Sequence, residues 1–477
     1  MELKLEPDAE EIDRMMTLVT KKIIDHLNAI ETPVSFDIDE ARKRALDYSE
    51  SMPEEEIPLE ELLDDLFERR IPYSLHTTSP GFMAYIPGGG IFHAAMANLI
   101  ASVTNRYVGK DFSAPFLAQI EADVLRWFCH MVGFPSSSGG TLTSGGSIAN
   151  LTAVVCARTL VLGEDFSKGT VYASQYTHHS MWKAFHAAGI PSSQIRNIAV
   201  DSQFRLDTES LEKAIDEDKA RGLTPLMIVA NAGSTNTGTV DALSRIADIA
   251  KKNGAWYHID AAYGGFFMMT LNGKERMRGM ERADSITLDP HKGLFLPYGT
   301  GALIVRDRDK LNQVFSHHAD YIPDSSSDID LWDFSEMSLE LSRPFRGLGV
   351  WLPFKMVGAA VFREALEEKL ELATYFHQSL KSDQRWEIVA SPELSITVFR
   401  YVDSRKTKEE LNRLNQRVMD GVNRKFRTNI SGTLVNGDFV IRSCILSFRT
   451  HKQHLDWLLE DLNDALDRVL SESNGGG

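Results

Sequence analysis

Residues 285–297 read SITLDPHKGLFLP, and this stretch places a lysine between two apolar segments. Ser285–Leu288 has the length and composition of a buried strand, and the chain then turns at Asp289-Pro290. Lys292 therefore lies where an ammonium group is costly to desolvate. A buried lysine that loses its charge is a nucleophilic amine suited to forming a Schiff base. A strand-end lysine whose ammonium reaches water gives the same local pattern, so this stretch leaves both interpretations open.

The chain as a whole has the composition of a globular protein. Its 477 residues, 43% hydrophobic and 25% charged, predict two or three domains with large cores. A net charge of −16 argues against nucleic acids and anionic membranes as partners. The three cysteines, Cys129, Cys156 and Cys444, show no spacing typical of disulfide frameworks or zinc sites, and no metal is expected. The acidic N-terminus is unlike a signal peptide, and no apolar run could span a bilayer. We therefore expect a cytoplasmic protein.

From about residue 139 the pattern alternates between strands and helices. The predicted helices include 206–220 and 242–252, and the predicted strands are 170–174, 195–200, 226–230, 256–260, 285–288 and 302–305. This alternation predicts an α/β fold with a mostly parallel sheet covered by helices.

The order of elements changes on either side of this region. After about residue 366 we predict a strand at 395–401, a helix at 408–426, a hairpin turning at Asn436-Gly437 and a terminal helix. The first 80 residues contain amphipathic helices too few to form a core of their own. The expected organisation is an N-terminal helical arm used for dimerisation (1–80), a large domain (81–365) and a small α+β domain (366–477).

A glycine-rich stretch, GGTLTSGGS (139–147), precedes an apolar helix predicted to begin near Ile148. Such a turn leaves backbone N–H groups free at the positive end of the helix dipole, which suits a phosphate. The stretch lacks the lysine of a Walker loop and does not match the dinucleotide fingerprint. A plain loop with Ser147 as the helix N-cap explains this motif alone equally well.

Polar residues follow the other predicted strands as well. His178 and His179 come after the strand at 170–174, where surface or core histidines are the alternative and no further metal ligands are apparent. NAGSTNTG (231–238) brings small residues and hydroxyl groups after the strand at 226–230. Asp260 ends the strand at 256–260, where a carboxylate needs a partner to stay ionised, and helix capping is the alternative role.

The carboxyl ends of parallel strands meet at one edge of a sheet, which is where ligands bind. Pyridoxal phosphate requires a phosphate cradle, a face to stack on its ring, a carboxylate that keeps the pyridine nitrogen protonated, and a Schiff-base lysine. The protonated ring is the electron sink for a carbanion at the substrate α-carbon. Each motif alone is weak, but together they predict a pyridoxal-phosphate site.

The sequence also resembles a known family, the group II pyridoxal-phosphate decarboxylases, which act on aromatic amino acids, histidine or glutamate. The resemblance covers nearly the whole chain, through motifs in the same order and spacing: SPGFMAYIPGG (79–89), APFLAQIEADVLRW (114–127), TSGGSIANL (143–151), THHS (177–180), NAGSTNTGTVD (231–241), WYHIDAAYGG (256–265), DPHKG (289–293) and ELSRPFRGLGVW (340–351). It implies a fold-type I enzyme, an obligate homodimer with its active site at the subunit interface. The implied reaction is decarboxylation of a small-molecule L-amino acid to its amine and carbon dioxide.

The resemblance also implies roles for individual residues. His178 would stack on the cofactor ring and Asp260 would pair with the pyridine nitrogen. Tyr321, within SHHADYIPD (316–324), matches the tyrosine with which decarboxylases protonate the carbanion, whereas aldehyde-forming relatives carry phenylalanine there. The implied cofactor contacts are Gly145, Gly146, Ser147, His178, Thr235, Asp260, Ala262, His291 and the Schiff-base lysine, Lys292.

Departures from the family pattern concern the substrate. Gly293 replaces a bulky residue after the lysine, and the segment RYVGKDF (106–112) lacks the aromatic character of the animal aromatic-acid enzymes. The predicted substrate residues are Tyr85, Ile86, Tyr107 and Ser342, the last two contributed across the subunit interface. They best fit an aromatic side chain, indole or phenol. The alternatives are an aldehyde synthase, a histidine- or glutamate-like decarboxylase, and a paralogue that binds the cofactor without turnover.

Overall fold

The computed structural model describes residues 5–32, 38–317 and 331–474. Its helices are α1 Ala9–Asn28, α2 Ile38–Asp47, α3 Leu59–Asp64, α4 Phe92–Thr104, α5 Pro115–Val132, α6 Gly146–Leu162, α7 His179–Ala187, α8 Thr208–Ala220, α9 Leu243–Asn253, α10 Leu271–Arg276, α11 Pro290–Gly293, α12 Asp309–Phe315, α13 Arg346–Lys381, α14 Lys408–Asn423 and α15 Lys452–Asn474. Its strands are β1 Gly139–Thr143, β2 Gly169–Ser174, β3 Ile195–Ile198, β4 Thr224–Asn231, β5 Trp256–Asp260, β6 Ser285–Leu288, β7 Gly301–Val305, β8 Trp386–Ala390, β9 Ile396–Tyr401, β10 Ser431–Val435 and β11 Asp438–Cys444.

The large sheet has seven strands in the order β1-β7-β6-β5-β4-β2-β3. The five strands from β6 to β3 in this order pair in parallel, while β7 runs antiparallel to both β6 and β1. Helices cover the sheet, so β2 and β5 are buried along their whole length. The predicted α/β class with a mostly parallel sheet is confirmed, and strands β5 and β6 have the predicted bounds.

Strand β1 is a correction to the sequence prediction, which read residues 139–147 as one glycine-rich turn. Residues 139–143 instead pair with β7, and only the two residues after them form the turn before α6. A Cβ atom on Gly140 would lie 2.2 Å from the carbonyl oxygen of Leu303. Glycine is therefore required by the close approach of the two backbones, although glycine is unfavourable in most strands.

The second sheet is antiparallel, with four strands in the order β10-β11-β9-β8. The predicted hairpin is present, and its turn residues Asn436 and Gly437 have φ angles of 51° and 80°. Positive φ at both central residues is typical of a tight hairpin turn that matches strand twist. Strand β8 was not predicted. Helix α14 packs on this sheet and α15 packs on α14. With the C-terminal part of α13 they enclose a hydrophobic cluster separate from the large core.

The N-terminal helices lie apart from both cores. Helix α1 has no buried residue, and its contacts with the rest of the chain include ion pairs from Lys22 to Asp64 and Glu68. Helix α13 crosses the predicted boundary at residue 365 without ending, with one kink at Gly358. The predicted division into three domains stays a prediction. Within residues 5–32, 38–317 and 331–474, no helix combines the length and apolar character that a membrane crossing requires.

Candidate active site

One cavity of about 290 Å³ lies at the carboxyl edge of the large sheet. Strands β4, β5 and β6 run in parallel, so the residues that follow them meet at this edge. The cavity brings together every predicted cofactor contact: Gly145, Gly146, Ser147, His178, Thr235, Asp260, Ala262, His291 and Lys292. Residues separated by as many as 147 positions in the sequence, from Gly145 to Lys292, therefore line one space.

The glycine turn opens helix α6, whose first residue is Gly146. Gly145 is the N-cap residue, with a φ of 156°, and no side chain caps the helix. The alternative role of Ser147 as N-cap is therefore wrong. The first three residues of this 17-residue helix line the cavity at the positive end of its dipole, as an anion site requires.

Asp260 ends strand β5 and is held by two donors. Its Oδ1 accepts a hydrogen bond from the backbone N–H of Ala262 at 3.1 Å. Its Oδ2 accepts one from Nδ2 of Asn150 at 3.1 Å. Asp260 is 7% exposed, so these bonds fix the direction of a buried carboxylate at the cavity wall.

Asn150 connects four elements through one amide. Because its Nδ2 donates to Asp260, its Oδ1 faces the other way and accepts from Thr287 Oγ1 at 2.6 Å and from His258 Nε2 at 3.1 Å. His258 therefore carries its proton on Nε2, and its Nδ1 accepts from Ser285 Oγ at 2.8 Å. Burial lowers the pKa of His258 to about 4, which agrees with a neutral ring.

The same amide reaches His178 through Ser180. Nδ2 of Asn150 also donates to Ser180 Oγ at 3.0 Å, and that oxygen lies 2.8 Å from Nδ1 of His178. The backbone N–H of Ser180 donates to the same Nδ1 at 3.3 Å, so Nδ1 is an acceptor and the proton of a neutral His178 lies on Nε2. Burial lowers the pKa of His178, and the nearby Asp260 opposes this shift.

Lys292 lies in the one-turn helix α11, and its side chain is 21% exposed. Its Nζ is 2.8 Å from Oδ2 of Asp289. Burial lowers the pKa of Lys292, but the Asp289 carboxylate, with a smaller contribution from Asp260, raises it by more, so the net shift is upward. In the free chain the carboxylates beside Lys292 therefore outweigh the effect of burial on its pKa.

His291 and Asp289 leave unused polar atoms beside the amine. Oδ1 of Asp289 and Nδ1 of His291 are buried without a hydrogen-bond partner. Buried polar atoms without a partner are uncommon in native proteins, and because these two belong to residues that line the cavity they are available to a polar ligand. With an open helix N-terminus, a partly exposed amine and a held carboxylate in the same cavity, these residues fit the phosphate, aldehyde and ring nitrogen of pyridoxal phosphate.

The four predicted substrate residues do not line this cavity. Tyr85 is 62% exposed, although the backbone beside it passes close to His291, since a Cβ atom on Gly88 would lie 2.1 Å from the His291 carbonyl oxygen. The Tyr107 hydroxyl donates to the carbonyl oxygen of Leu341 at 3.1 Å, beside the exposed Ser342. Ile86 is half-buried against the core. Tyr321 lies outside the described residues.

Sequence reasoning missed several residues that shape the site. Asn150 and Asp289 both stand inside motifs that were recognised, and a buried polar residue beside a proposed ligand is a signal that could have found them. Ser180 and His258 also stand inside recognised motifs, but their roles depend on pairings between distant segments that the sequence does not specify. In the part of the chain that the structure describes, no group of three histidine, cysteine, aspartate or glutamate side chains could hold a metal ion.

Comparison with known proteins agrees with this geometry. The pattern of the pyridoxal-dependent decarboxylase conserved domain matches residues 42–402, more than half of the chain. An aromatic-L-amino-acid decarboxylase of Bacillus atrophaeus is 35% identical over 458 residues, covering 95% of each chain. Tryptophan decarboxylase 2 of Oryza sativa subsp. japonica is 29% identical over 479 residues, covering 98% of this chain and 96% of the relative.

A crystal structure of Oryza sativa TDC with PLP and tryptamine superposes with a TM-score of 0.91 at 26% identity, covering 98% of this chain and 99% of that one. The chain thus belongs to the pyridoxal-dependent decarboxylase family and is an amino-acid decarboxylase whose cofactor is pyridoxal 5′-phosphate.

Proposed function

We propose that this enzyme decarboxylates an aromatic L-amino acid, with Lys292, Asp260 and the start of helix α6 as the centre of its active site. The observation that carries the proposal is the meeting of these three groups in one cavity at the carboxyl edge of the sheet. When bound, pyridoxal phosphate supplies an aldehyde that joins to amines and a ring that delocalises the electrons left by carbon dioxide.

The residues of this chain have separate tasks in the proposal. The backbone N–H groups of Gly146 and Ser147 bind the phosphate, because helix α6 begins there without a side-chain cap. The amine of Lys292 holds the aldehyde end of the cofactor. Asp260, directed by Asn150 and by the N–H of Ala262, holds a proton on the ring nitrogen. That proton matters most when negative charge develops at the substrate, because the carboxylate then stabilises a cationic ring.

His178 is the proposed stacking residue. Its Nδ1 accepts from Ser180, so the imidazole is fixed in orientation and carries its proton on Nε2. A fixed, neutral ring can cover one face of the cofactor and exclude water without competing for the proton on the ring nitrogen. Thr235, Ala262 and His291 complete the walls of the proposed site.

The aromatic substrate class is supported by the relatives. The Bacillus atrophaeus protein is an aromatic-L-amino-acid decarboxylase, and the Oryza sativa structure holds tryptamine, an indole amine. Both similarities extend over more than nine-tenths of this chain. We infer that Tyr85 and Ile86, together with Tyr107 and Ser342 of a second subunit, form the pocket for the side chain.

A panel of amino acids tests the substrate class. We expect the purified protein with pyridoxal phosphate to release carbon dioxide and amine from tryptophan, tyrosine or phenylalanine. Histidine and glutamate should react at least about tenfold more slowly, since a polar side chain in an apolar pocket loses more than about 1.4 kcal/mol of binding. Lys292→Ala is the negative control. A preference for histidine or glutamate would contradict the proposed class.

Tyr321 is the proposed proton donor to the substrate α-carbon after carbon dioxide leaves. We expect Tyr321→Phe to consume the substrate and yield aldehyde instead of most of the amine, because dioxygen then reacts with the unprotonated carbanion. Each turnover of this kind uses one dioxygen and one water and gives aldehyde, carbon dioxide, ammonia and hydrogen peroxide. The measurement is amine and peroxide formed per carbon dioxide released.

Tyr298→Phe is the matched control, because Tyr298 is an exposed tyrosine whose ring lies 5.7 Å from that of His291. It should give amine without peroxide, like the parent enzyme. If Tyr321→Phe also forms amine at the parent rate and no peroxide appears, the assignment of Tyr321 is wrong.

We further propose that the enzyme is an obligate homodimer. Helices α4 and α5 expose large apolar side chains that their own chain does not cover, including Val103 at 76% and Phe116 at 86% exposure. Helix α1 likewise exposes Ile12, Met15 and Met16. Exposed apolar surface of this extent is typical of an interface. A second copy that covers it would bring its own Tyr107 and Ser342 to the substrate pocket.

A charge placed on this surface tests the dimer. We expect Val103→Glu to sediment as a monomer and to lose activity at assay concentration, because a buried, unpaired carboxylate opposes association. Leu434→Glu is the control, since Leu434 is 60% exposed on the small sheet. It should remain dimeric and active. A fully active Val103→Glu monomer would rule out the obligate dimer.

We also propose a cytoplasmic location and a three-part domain organisation. A cytoplasmic location is supported by the three cysteines, which are all buried free thiols, since paired cysteines are typical of oxidising compartments. The three-part organisation is supported by the separate hydrophobic cluster under the small sheet and by the absence of buried residues in α1.

A further inference from the structure

Asp289 is the acidic group closest to the amine of Lys292. The carboxylate is 2% exposed, and its Oδ2 lies 2.8 Å from Nζ of Lys292. The two residues are three positions apart, and the first turn of α11 holds them together, because the backbone N–H of Lys292 also donates to the carbonyl oxygen of Asp289. The ion pair is thus built into the local backbone.

The Asp289 carboxylate has few other polar contacts. Its Oδ1 is buried and has no hydrogen-bond partner. Its only further ionisable neighbour within 4 Å among the described residues is His291, whose Nε2 lies 3.6 Å from Oδ2. Burial lowers the pKa of His291, which favours its neutral form. Lys292 is therefore the main counter-charge of Asp289. Each charged group offsets the cost of removing the other from water.

Other ionisable groups also face the amine. Asp260 lies at the end of β5, Cys444 at the end of β11, and His178 at the start of α7. Asp260 is hydrogen-bonded to Asn150 and Ala262 rather than to Lys292. Burial raises the pKa of the Cys444 thiol to about 12, so it is neutral at physiological pH. Asp289 is thus the anion that bonds directly to the ammonium.

We propose that Asp289 sets the nucleophilicity of Lys292 by holding it as an ammonium ion in the cofactor-free chain, so that cofactor capture requires this ion pair to open. The proposal rests on Lys292 as the cofactor lysine. It adds Asp289 as a catalytic residue, because its carboxylate contacts the reacting nitrogen.

The chemistry of capture explains why the pair matters. Only the neutral amine attacks an aldehyde carbon. The ammonium first gives one proton to water at the cavity mouth. Its nitrogen then bonds to the carbon, and the aldehyde oxygen leaves as water with the two remaining amine protons. Because Asp289 raises the pKa of Lys292, the neutral fraction at pH 7 is smaller than for an unpaired lysine. Removing the carboxylate leaves burial as the larger influence, which lowers the pKa and increases that fraction.

Trace acetylation of the cofactor-free protein with acetic anhydride, read by peptide mass spectrometry, measures this fraction directly. We expect Asp289→Asn to accelerate acetylation of Lys292 at pH 7 by at least about tenfold, which corresponds to one pKa unit. Asp289→Glu keeps the anion and should stay within a few-fold of the parent. Equal rates in the parent and Asp289→Asn would overturn the proposal.

Two controls distinguish the loss of the Asp289 charge from unfolding of the variant. Acetylation of all other lysines in the same digest reports whether the variant is folded, and only Lys292 should change. Asp456→Asn removes the carboxylate of an exposed pair, 2.9 Å from Lys452, and should leave Lys292 unaffected. If Asp289→Asn does not fold, Asp289→Ser removes the same charge with a smaller side chain, and an unchanged Lys292 rate in it would equally overturn the proposal.

Reduction with borohydride after adding pyridoxal phosphate distinguishes failure of the proposed function from failure of this inference. Cofactor mass on a different lysine would show that the assignment of Lys292 itself is wrong. Cofactor mass on Lys292, captured at the same rate by the parent and Asp289→Asn at pH 7, would leave that assignment intact and remove only the role of Asp289. Faster capture by Asp289→Asn is the expected result.

Discussion

The side-chain amide of Asn150 is the interaction on which the geometry of the site depends. It is 1% exposed and bonds to groups that follow or lie within β5, β6 and α7. An amide has distinct donor and acceptor ends, so donating to Asp260 obliges it to accept from Thr287 and His258. The side chain of Asn150 therefore fixes the direction of the Asp260 carboxylate and, through Ser180, the tautomer of His178. The residues at the ends of these strands are thereby held together as one wall of the cavity.

Burial favours the neutral form at every basic group of this site, but the outcome differs between the histidines and the lysine. At His258 and His178 it favours the neutral ring, because no carboxylate bonds to either one. At Lys292 the charge is retained, since Asp289 bonds directly to the ammonium. The cavity thus contains the neutral imidazole of His178 beside the ion pair of Asp289 and Lys292. A ligand that carries its own phosphate and aldehyde can therefore replace the ion pair between Asp289 and Lys292. It does not have to bury its polar groups in an apolar cavity.

Sequence reasoning predicted the parallel core of the fold well, because buried strands such as β5 and β6 are short apolar runs ended by polar residues. It failed at β1, where glycines needed for close backbone approach resemble a loop, and it did not predict that β7 is reversed. Direction and pairing depend on which distant segments meet, which hydrophobic periodicity does not encode.

The active-site residues likewise divide into those that the sequence could predict and those that it could not. Asp260 and Lys292 could be predicted because each residue type has a specific chemistry at a strand end. The charge of Lys292 could not, since it depends on a hydrogen bond to Asp289 that sequence order alone does not specify. The predicted substrate residues lie outside the cavity of a single chain, and two of them, Tyr107 and Ser342, are proposed to reach the pocket from a second subunit. The prediction for Tyr321 rests on the family pattern alone.

The most direct measurement of the central claim is a crystal structure of the protein with pyridoxal phosphate. The account predicts a covalent bond from the cofactor to Nζ of Lys292, the pyridine nitrogen within about 3.2 Å of the Asp260 carboxylate, and phosphate oxygens at the N–H groups of Gly146 and Ser147. A cofactor bound with its phosphate toward Asp260, or attached to another lysine, would contradict it.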